Sequence, residues 1–328
     1  MAAVVVRPPL TLGLTAEPWH ARRTVAEKNA ATRTVQPDAF LLSWAEDVLR
    51  QALRRSPLLD ARSYEIFGQG SRVNNTYIEH ASDIDLVLML KMPFESNVDA
   101  LDEPGMDHFR ERYQAGHYGW EEFREDVLAA LGESYVVRMG RRCVNVDSPE
   151  SLFGEMVDIL LATEYRLYSA FPSPGVEVYE QGVFFRDREG RRIVNFPKQH
   201  RRSGDLKDLS TGGRFKEVVR TAKRNRRMAE RKRMIAEGAA PSYLLECLLY
   251  NVPDNVYRTS SPGEAYSGAF EWLRRCHRED PVSFAELPCQ NGINRLFGKS
   301  PDQWEAGGAG GIIDILHEIR SPGLVAAP

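Results

Sequence analysis

The sequence contains few cysteines and histidines, little net charge and no long apolar run. Four cysteines occur among 328 residues, none in a Cys-x-x-Cys pair, and the seven histidines show no His-x-x-x-His spacing. A disulfide framework and a zinc site are therefore not expected. The sequence instead predicts a protein of the reducing cytoplasm. No stretch reaches the ~18 apolar residues of a membrane helix, and the apolar patch at residues 2–6 ends at Arg7-Pro8-Pro9, too early for a secretory signal.

The length and composition predict a two-lobed globular protein. Apolar residues make up 42% of the chain, enough for a core, and charged residues make up 27%. A net charge of −3 means that any attraction for polyanions must come from local clusters. A chain of 328 residues usually exceeds one compact core. We expect an α/β lobe with an N-terminal helix over residues 1–200 and a helical lobe over residues 201–328.

The apolar pattern places strands in the first lobe and helices in the second. Residues 84–90 form a nearly continuous apolar run, as in a sheet strand covered on both faces. Residues 172–204 are rich in proline and glycine, which favours turns and short strands. The other predicted strands are 64–67, 135–146 and 154–162, and the predicted helices are 37–55, 99–133, 214–238, 243–250, 264–278 and 311–319.

A glycine-rich turn follows the first predicted strand, in the order Phe67-Gly-Gln-Gly-Ser71. Gly68 and Gly70 allow a tight turn and a close approach of the backbone to a ligand. A short helix starting at Ser71 would point backbone N–H groups and a hydroxyl at one spot, which suits a phosphate. Gly70 and Ser71 are therefore candidate phosphate-binding residues.

Three acidic residues complete the candidate site. Asp83 and Asp85 are two positions apart at the start of a strand, so both side chains leave the same face, roughly 6–7 Å apart. Asp158 interrupts the apolar run Met156-Val-Asp-Ile-Leu-Leu161, and an acid there is costly without a partner or a metal ion. Carboxylates in this arrangement can hold two Mg²⁺ ions for in-line attack at phosphorus, with Mn²⁺ as a substitute.

At these residues the chain resembles the nucleotidyltransferase superfamily that includes DNA polymerase β, poly(A) polymerases, CCA-adding enzymes and oligoadenylate synthases. The superfamily pattern Gly-Ser…Thr-x-Ile-x-x-x-Ser-Asp-x-Asp is matched from Gly70 to Asp85. The resemblance implies a polymerase β-like lobe with a mixed sheet, a C-terminal helical lobe and an active site in the cleft between them.

Later segments resemble the bacterial cGAS/DncV-like nucleotidyltransferases, which make cyclic oligonucleotide signals in anti-phage defence. These segments include Asn195-Phe-Pro-Lys-Gln-His200, Phe215 to Lys223 and Pro241 to Pro253, and the resemblance extends from about Pro37 to Ile319. It implies an enzyme that joins NTP substrates into a cyclic di- or trinucleotide recognised by a downstream effector. We expect this enzyme to be a cytoplasmic monomer.

The resemblance also implies roles for single residues. Gly70 and Ser71 would hold the donor triphosphate, and Asp83, Asp85 and Asp158 would bind the two metal ions, with Asp158 also placed to activate the acceptor hydroxyl. The residues expected to contact the donor phosphates or base from the helical lobe are Lys223, Ser242 and Tyr243. The family often has a proline three residues after the third acid, where this chain has Leu161. This departure concerns backbone shape beyond the acid.

A basic segment from Arg214 to Arg233 leaves two interpretations open. It contains ten Lys or Arg and two acids around a modest apolar stripe. A solvated helix face is one interpretation. In the other interpretation, Arg220, Lys223 and Arg227 neutralise the triphosphate of a bound nucleotide. The outer cations of the segment would then bind a nucleic acid activator, although the small net charge of the chain does not favour such binding. Similarly, Asn195 to His200 is either a structural turn or part of an acceptor pocket.

Two other functions compete with cyclic nucleotide synthesis. A non-cyclising nucleotidyltransferase would act on RNA, a protein or a small molecule. A catalytically silent nucleotide- or RNA-binding module would use the basic segment. The intact set Asp83, Asp85 and Asp158 argues against a silent module, because a silent module has no need of three acids beside a phosphate cradle.

Overall fold

The computed structural model describes residues 41–78, 84–114, 116–147, 157–300 and 302–319. Over these residues the chain forms two compact units, each assembled from separate segments. The first contains the described residues up to Gly68 with Leu86–Met139 and Cys143–Glu180, and the second contains Gln69–Asp85, Gly140–Arg142 and the chain from Gln181 onward. The predicted lobe boundary near residue 200 and the predicted cleft stay predictions.

Strands and helices are numbered in chain order. The strands are β1 (Tyr64–Gly68), β2 (Ile84–Asn97), β3 (Val136–Met139), β4 (Val144–Asp147), β5 (Val157–Ser173), β6 (Val176–Arg186) and β7 (Arg192–Asn195). The helices are α1 (described over 41–54), α2 (Pro57–Asp60), α3 (Gly70–Val73), α4 (Glu103–Arg112), α5 (Trp120–Gly132), α6 (Pro197–Ser210), α7 (Arg214–Arg231), α8 (Ser242–Tyr250), α9 (Asp254–Tyr257), α10 (Pro262–Glu279), α11 (Pro281–Ala285) and α12 (Ala306–Glu318).

The first unit is built on a sheet with the strand order β1-β2-β5-β4-β3, and β6 extends it beside β5. Adjacent pairs β1–β2, β3–β4 and β4–β5 are antiparallel. The five residues from Leu86 to Leu90 are completely buried, as their apolar run predicted for a strand covered on both faces. The predicted α/β fold class with a helical C-terminal region is confirmed.

The segment 172–204 is more regular than its proline and glycine content predicted. Strand β5 continues to Ser173, and β6 follows at once as a long hairpin strand. The turn between them needs Gly175, whose φ of +84° is a left-handed conformation that favours glycine. Pro197 then occupies the first turn of α6, where its missing N–H costs no hydrogen bond. The expectation of mainly turns and short strands was therefore wrong here.

The second unit has a helical core formed by α7, α8, α10 and α12. Phe215, Leu244, Phe270 and Ile313 belong to one continuous cluster of buried apolar side chains. Helix α10 begins at the cap Ser261, whose hydroxyl accepts a hydrogen bond from the amide of Glu264. None of the described helices has the length and apolar character needed to cross a lipid bilayer.

Helix α7 is more deeply buried than its basic sequence indicated. Nine of its residues are buried, including Lys216, Lys223 and Asn225. Lys216 is neutralised by an ion pair with Asp205, so its burial leaves no isolated charge. The apolar stripe expected to be modest is therefore a full core face. The alternatives for the remaining cations of this helix, solvated face or phosphate contact, stay predictions.

Candidate active site

The turn that carries Gly70 packs directly against the side chain of Asp85. Gly70 has a φ of +78°, and a Cβ atom added to it would lie 2.0 Å from Oδ2 of Asp85. The amide of Gln69 donates to the carbonyl oxygen of Asp85 at 2.9 Å, which ties the turn to the start of β2. Only glycine satisfies both the left-handed conformation and the close approach. The Gly-Gln-Gly-Ser sequence therefore allows the backbone of this turn to pack against the carboxylate of Asp85.

The residues after Gly70 form the expected short helix. Helix α3 covers Gly70–Val73, and Ser71 lies in its first turn. The amide of Thr76 donates to the carbonyl oxygen of Ser71 at 2.8 Å, so the chain folds back on itself after the helix. The structure therefore places Gly70 and Ser71 in one compact loop that ends at the buried Thr76.

Asp85 is the second residue of β2 and Asp158 is the second residue of β5. The structure has β2 and β5 as neighbours in the sheet. Asp158 lies directly opposite Asn145 on β4, and Nδ2 of Asn145 donates to Oδ1 of Asp158 at 2.5 Å. Asp83 lies outside the described residues.

The donor chemistry of the two described acids suits Mg²⁺. Carboxylate oxygens are the ligands that this ion prefers, and the glycine at position 70 leaves the carboxylate of Asp85 space that a Cβ would fill. Within the described ranges, no three His, Cys, Asp or Glu side chains are grouped closely enough to hold a metal ion. The predicted three-acid set includes Asp83 and stays a prediction.

Lys223 lies in a buried hydrogen-bond network behind the loop. Its Nζ donates to the carbonyl oxygen of Thr76 at 3.1 Å, to the hydroxyl of Thr76 at 2.9 Å and to Oε1 of Glu246 at 2.6 Å. The hydroxyl of Thr76 also donates to Glu246 at 2.8 Å. Nε2 of His200 lies 2.8 Å from the second oxygen of Glu246. Lys223 thus holds the loop through Thr76, and its predicted contact with donor phosphates stays a prediction.

Glu246 is the centre of this network. Burial by itself would raise the pKa of the Glu246 carboxyl, but the charge of Lys223 and the hydrogen bond of His200 outweigh burial and lower the pKa well below its usual range. The carboxylate is therefore ionised. Its two oxygens bring side chains from α6 and α7 together with the loop residue Thr76.

Arg220 makes a second attachment to the same loop. Its Nη1 donates to the carbonyl oxygen of Asn75 at 2.6 Å. Asn75 has a φ of +54°, a left-handed conformation that asparagine tolerates better than most residues. Arg220 and Lys223 are three positions apart on α7 and therefore share one face. This face of the basic helix binds the loop that follows Ser71, so two of its cations have structural partners.

Ser242 and Tyr243 begin helix α8. The ring of Tyr243 stacks on His200, with centroids 4.8 Å apart, and on Trp304, with centroids 5.9 Å apart. Burial raises the pKa of the Tyr243 phenol well above its ordinary value. His200 is buried and bonded to Glu246. Residues 197–200 begin helix α6 rather than forming a turn, and a contact of residues 195–200 with an acceptor stays a prediction. The predicted nucleotide contacts of Ser242 and Tyr243 stay predictions.

Two residues were missed by the sequence reasoning. Glu246 interrupts the apolar run Leu244-Leu-Glu-Cys-Leu-Leu249, which is the same signal that singled out Asp158. Asn145 lies between two valines of a predicted strand, where asparagine is unfavourable. Both signals were present in the sequence, but neither indicates which side chain will be the partner.

The fold and these residues define a nucleotidyltransferase. Residues 202–320 match the family model of the cGAS/DncV-like nucleotidyltransferase C-terminal helical domain. The chain is 32% identical over 247 residues to the cyclic UMP-AMP synthase of Rhodothermus marinus (strain SG0.5JP17-172). The aligned region covers 73% of this chain and 78% of that protein. The chain belongs to the cGAS/DncV-like nucleotidyltransferase family.

Two further comparisons agree with this family. The chain is 28% identical over 261 residues to the cyclic dipyrimidine nucleotide synthase CdnE of Legionella pneumophila, covering 79% of this chain and 85% of that protein. It is also similar to the structure of Rhodothermus marinus CdnE c-UMP-AMP synthase with Apcpp and Upnpp, with a TM-score of 0.68 and 30% identity over 84% of this chain and 89% of that chain. The named products of these relatives differ in their bases.

Proposed function

We propose that this enzyme joins two or three NTPs into a cyclic di- or trinucleotide and releases pyrophosphate at each step. The observation that supports this most directly is the contact between Gly70 and Asp85. It seats the turn that we expect to bind phosphate on an acidic residue, in a chain of this family. Relatives with both cyclic UMP-AMP and cyclic dipyrimidine products support cyclisation and leave the bases of this enzyme open.

The acids Asp83, Asp85 and Asp158 would hold two Mg²⁺ ions, with Mn²⁺ as a substitute. Such ions lower the pKa of an attacking hydroxyl and neutralise the pyrophosphate leaving group. Asp158 would orient the acceptor hydroxyl and accept its proton. Gly70 and Ser71 would bind the donor triphosphate through backbone amides and a hydroxyl.

The second unit would supply the remaining contacts with the donor. We assign Lys223 and Ser242 to its phosphates and Tyr243 to its base. The bonds of Lys223 to Thr76 and Glu246 support an additional role, which is to keep the Gly70–Ser71 loop in one conformation. A preformed loop binds the donor without an ordering cost at the time of reaction.

Ring closure requires the linear intermediate to be bound a second time, with its remaining triphosphate in the donor position. The product would act as a signal for a downstream effector in anti-phage defence. We assign the enzyme to the cytoplasm, where NTPs are available, and expect a monomer. A nucleic acid activator is not favoured, because the net charge of the chain is only −3.

The test is incubation of the purified protein with all four labelled NTPs and Mg²⁺ or Mn²⁺, followed by phosphatase and mass spectrometry. A phosphatase-resistant species with the mass of a cyclic di- or trinucleotide is expected, and it would identify the bases. Asp85→Asn should give no product, whereas Asp99→Asn at an exposed position should match the wild type. Linear, phosphatase-sensitive products alone would support the non-cyclising transferase instead.

A further inference from the structure

Asn145 and Asp158 are directly opposed across the antiparallel pair β4–β5. Directly opposed residues project their side chains from the same face of a sheet, about 5 Å apart. The amide Nδ2 of Asn145 donates to Oδ1 of Asp158 at 2.5 Å. An ionised carboxylate only accepts hydrogen bonds, so the amide must present its NH₂ group to it.

Strand propensity does not account for an asparagine at this position. The flanking Val144 and Val146 are 3% and 6% exposed and lie opposite the apolar Ile159 and Val157. Asparagine is depleted in strands, where β-branched residues pack better. We attribute the polar side chain at position 145 to its hydrogen bond with Asp158 on the neighbouring strand.

We propose that Asn145 is a positioning residue that orients the carboxylate of Asp158 for metal binding and proton acceptance. The terminal torsion of an aspartate is broad, so an unrestrained carboxylate on a strand samples many orientations. A hydrogen bond from the neighbouring strand restricts this rotation before any ligand arrives. The inference rests on the proposed function of Asp158.

The first test measures metal binding separately from turnover. Mn²⁺ binding is followed by electron paramagnetic resonance in the presence of a non-hydrolysable ATP analogue. We expect Asn145→Ala to raise the Mn²⁺ dissociation constant by about 10- to 100-fold, the usual effect of removing a partner of a metal ligand. Turnover should fall at low Mn²⁺ and recover at high Mn²⁺, whereas a merely structural role would lower turnover equally at all concentrations.

Asn97→Ala is the matched control. Asn97 also donates from Nδ2 to a carboxylate, that of Asp99 at 2.9 Å, but this pair is exposed at the end of β2. Asn97→Ala should leave Mn²⁺ binding unchanged. Cooperative unfolding shows whether Asn145→Ala is folded. If it is not, Asn145→Leu replaces it, because leucine has a similar volume but no hydrogen-bond donor. We expect the same loss of Mn²⁺ affinity in Asn145→Leu. Wild-type Mn²⁺ affinity in either folded variant would overturn the inference.

Asp158→Asn separates this inference from the proposed function. If Asp158→Asn abolishes cyclic product while Asn145→Ala binds Mn²⁺ like the wild type, only the positioning role of Asn145 is wrong. If Asp158→Asn retains full activity, the assignment of Asp158 itself fails, and the inference fails with it.

Discussion

The ammonium group of Lys223 lies 2.6 Å from Oε1 of Glu246, and both side chains are almost completely buried. The same ammonium holds the hydroxyl and carbonyl oxygen of Thr76. A buried charge pair is stable only when its remaining hydrogen-bonding groups are satisfied, and Thr76 and His200 satisfy them here. The arrangement therefore couples the fold of the helical core to the loop that begins at Gly70.

Removing one partner of this pair should destabilise the protein strongly. We expect Glu246→Gln to lower the free energy of unfolding by about 3–5 kcal/mol, because the Lys223 charge stays buried without its counter-ion. Urea denaturation measures this change. Glu279→Gln, which breaks the exposed pair between Arg275 and Glu279, should have no measurable effect. Equal effects of the two substitutions would contradict the buried network.

The lowered pKa of Glu246 predicts a loss of stability in acid. Burial raises this pKa, and Lys223 and His200 lower it by more. A carboxylate whose pKa is lower in the folded state contributes stability above its unfolded value of about 4.3, and this contribution is lost as the pH falls through the folded pKa. We expect stability to decline below about pH 4.3 and to decline less steeply in Glu246→Gln. Parallel pH curves for the two proteins would show that Glu246 is not responsible.

Gly70→Ala should damage the active site more than it damages the fold. The new Cβ would enter the space of the Asp85 carboxylate, and the left-handed backbone disfavours alanine. We expect cyclic product formation to fall by at least about 100-fold, since small displacements of catalytic groups have effects of this size. Steady-state kinetics and thermal unfolding measure the two effects separately.

Gly238→Ala is the control for the backbone strain alone. Gly238 has a φ of +75°, but a Cβ there would meet nothing within 4 Å. Gly238→Ala should lower stability by the cost of the backbone strain alone and leave NTP turnover unchanged. If both variants lose activity equally, the close approach of Gly70 to Asp85 is not important for the reaction.

Asp83→Ala combined with Asp85→Ala should abolish NTP turnover in a folded protein. The loss should exceed about 10³-fold, because metal ions supply several kcal/mol of transition-state stabilisation. Chelation of divalent ions should stop the wild-type enzyme, and added Mg²⁺ or Mn²⁺ should restore it. Circular dichroism verifies the fold. Normal product from the double variant would refute the metal-site assignment.

The elements of the candidate site were predictable because their signals are local. A strand followed by Gly-Gln-Gly-Ser predicted the turn and helix α3, and an apolar run predicted the buried strand that carries Asp85. The basic helix was harder to interpret. Its eight cations left a solvated face as one interpretation, but apolar residues and the paired Lys216 and Lys223 form its buried side. Composition does not reveal which charges have partners distant in sequence.

The sequence by itself determined the class of reaction, since a glycine-serine turn and correctly spaced acids are short-range patterns with a direct chemical meaning. Only the tertiary structure decided which residues support them. Glu246 is 170 residues from Thr76, and Asn145 is 13 residues from Asp158, yet each pair is hydrogen-bonded. Such partners arise when helices pack and strands align in register, and these events depend on the whole core rather than on any local sequence.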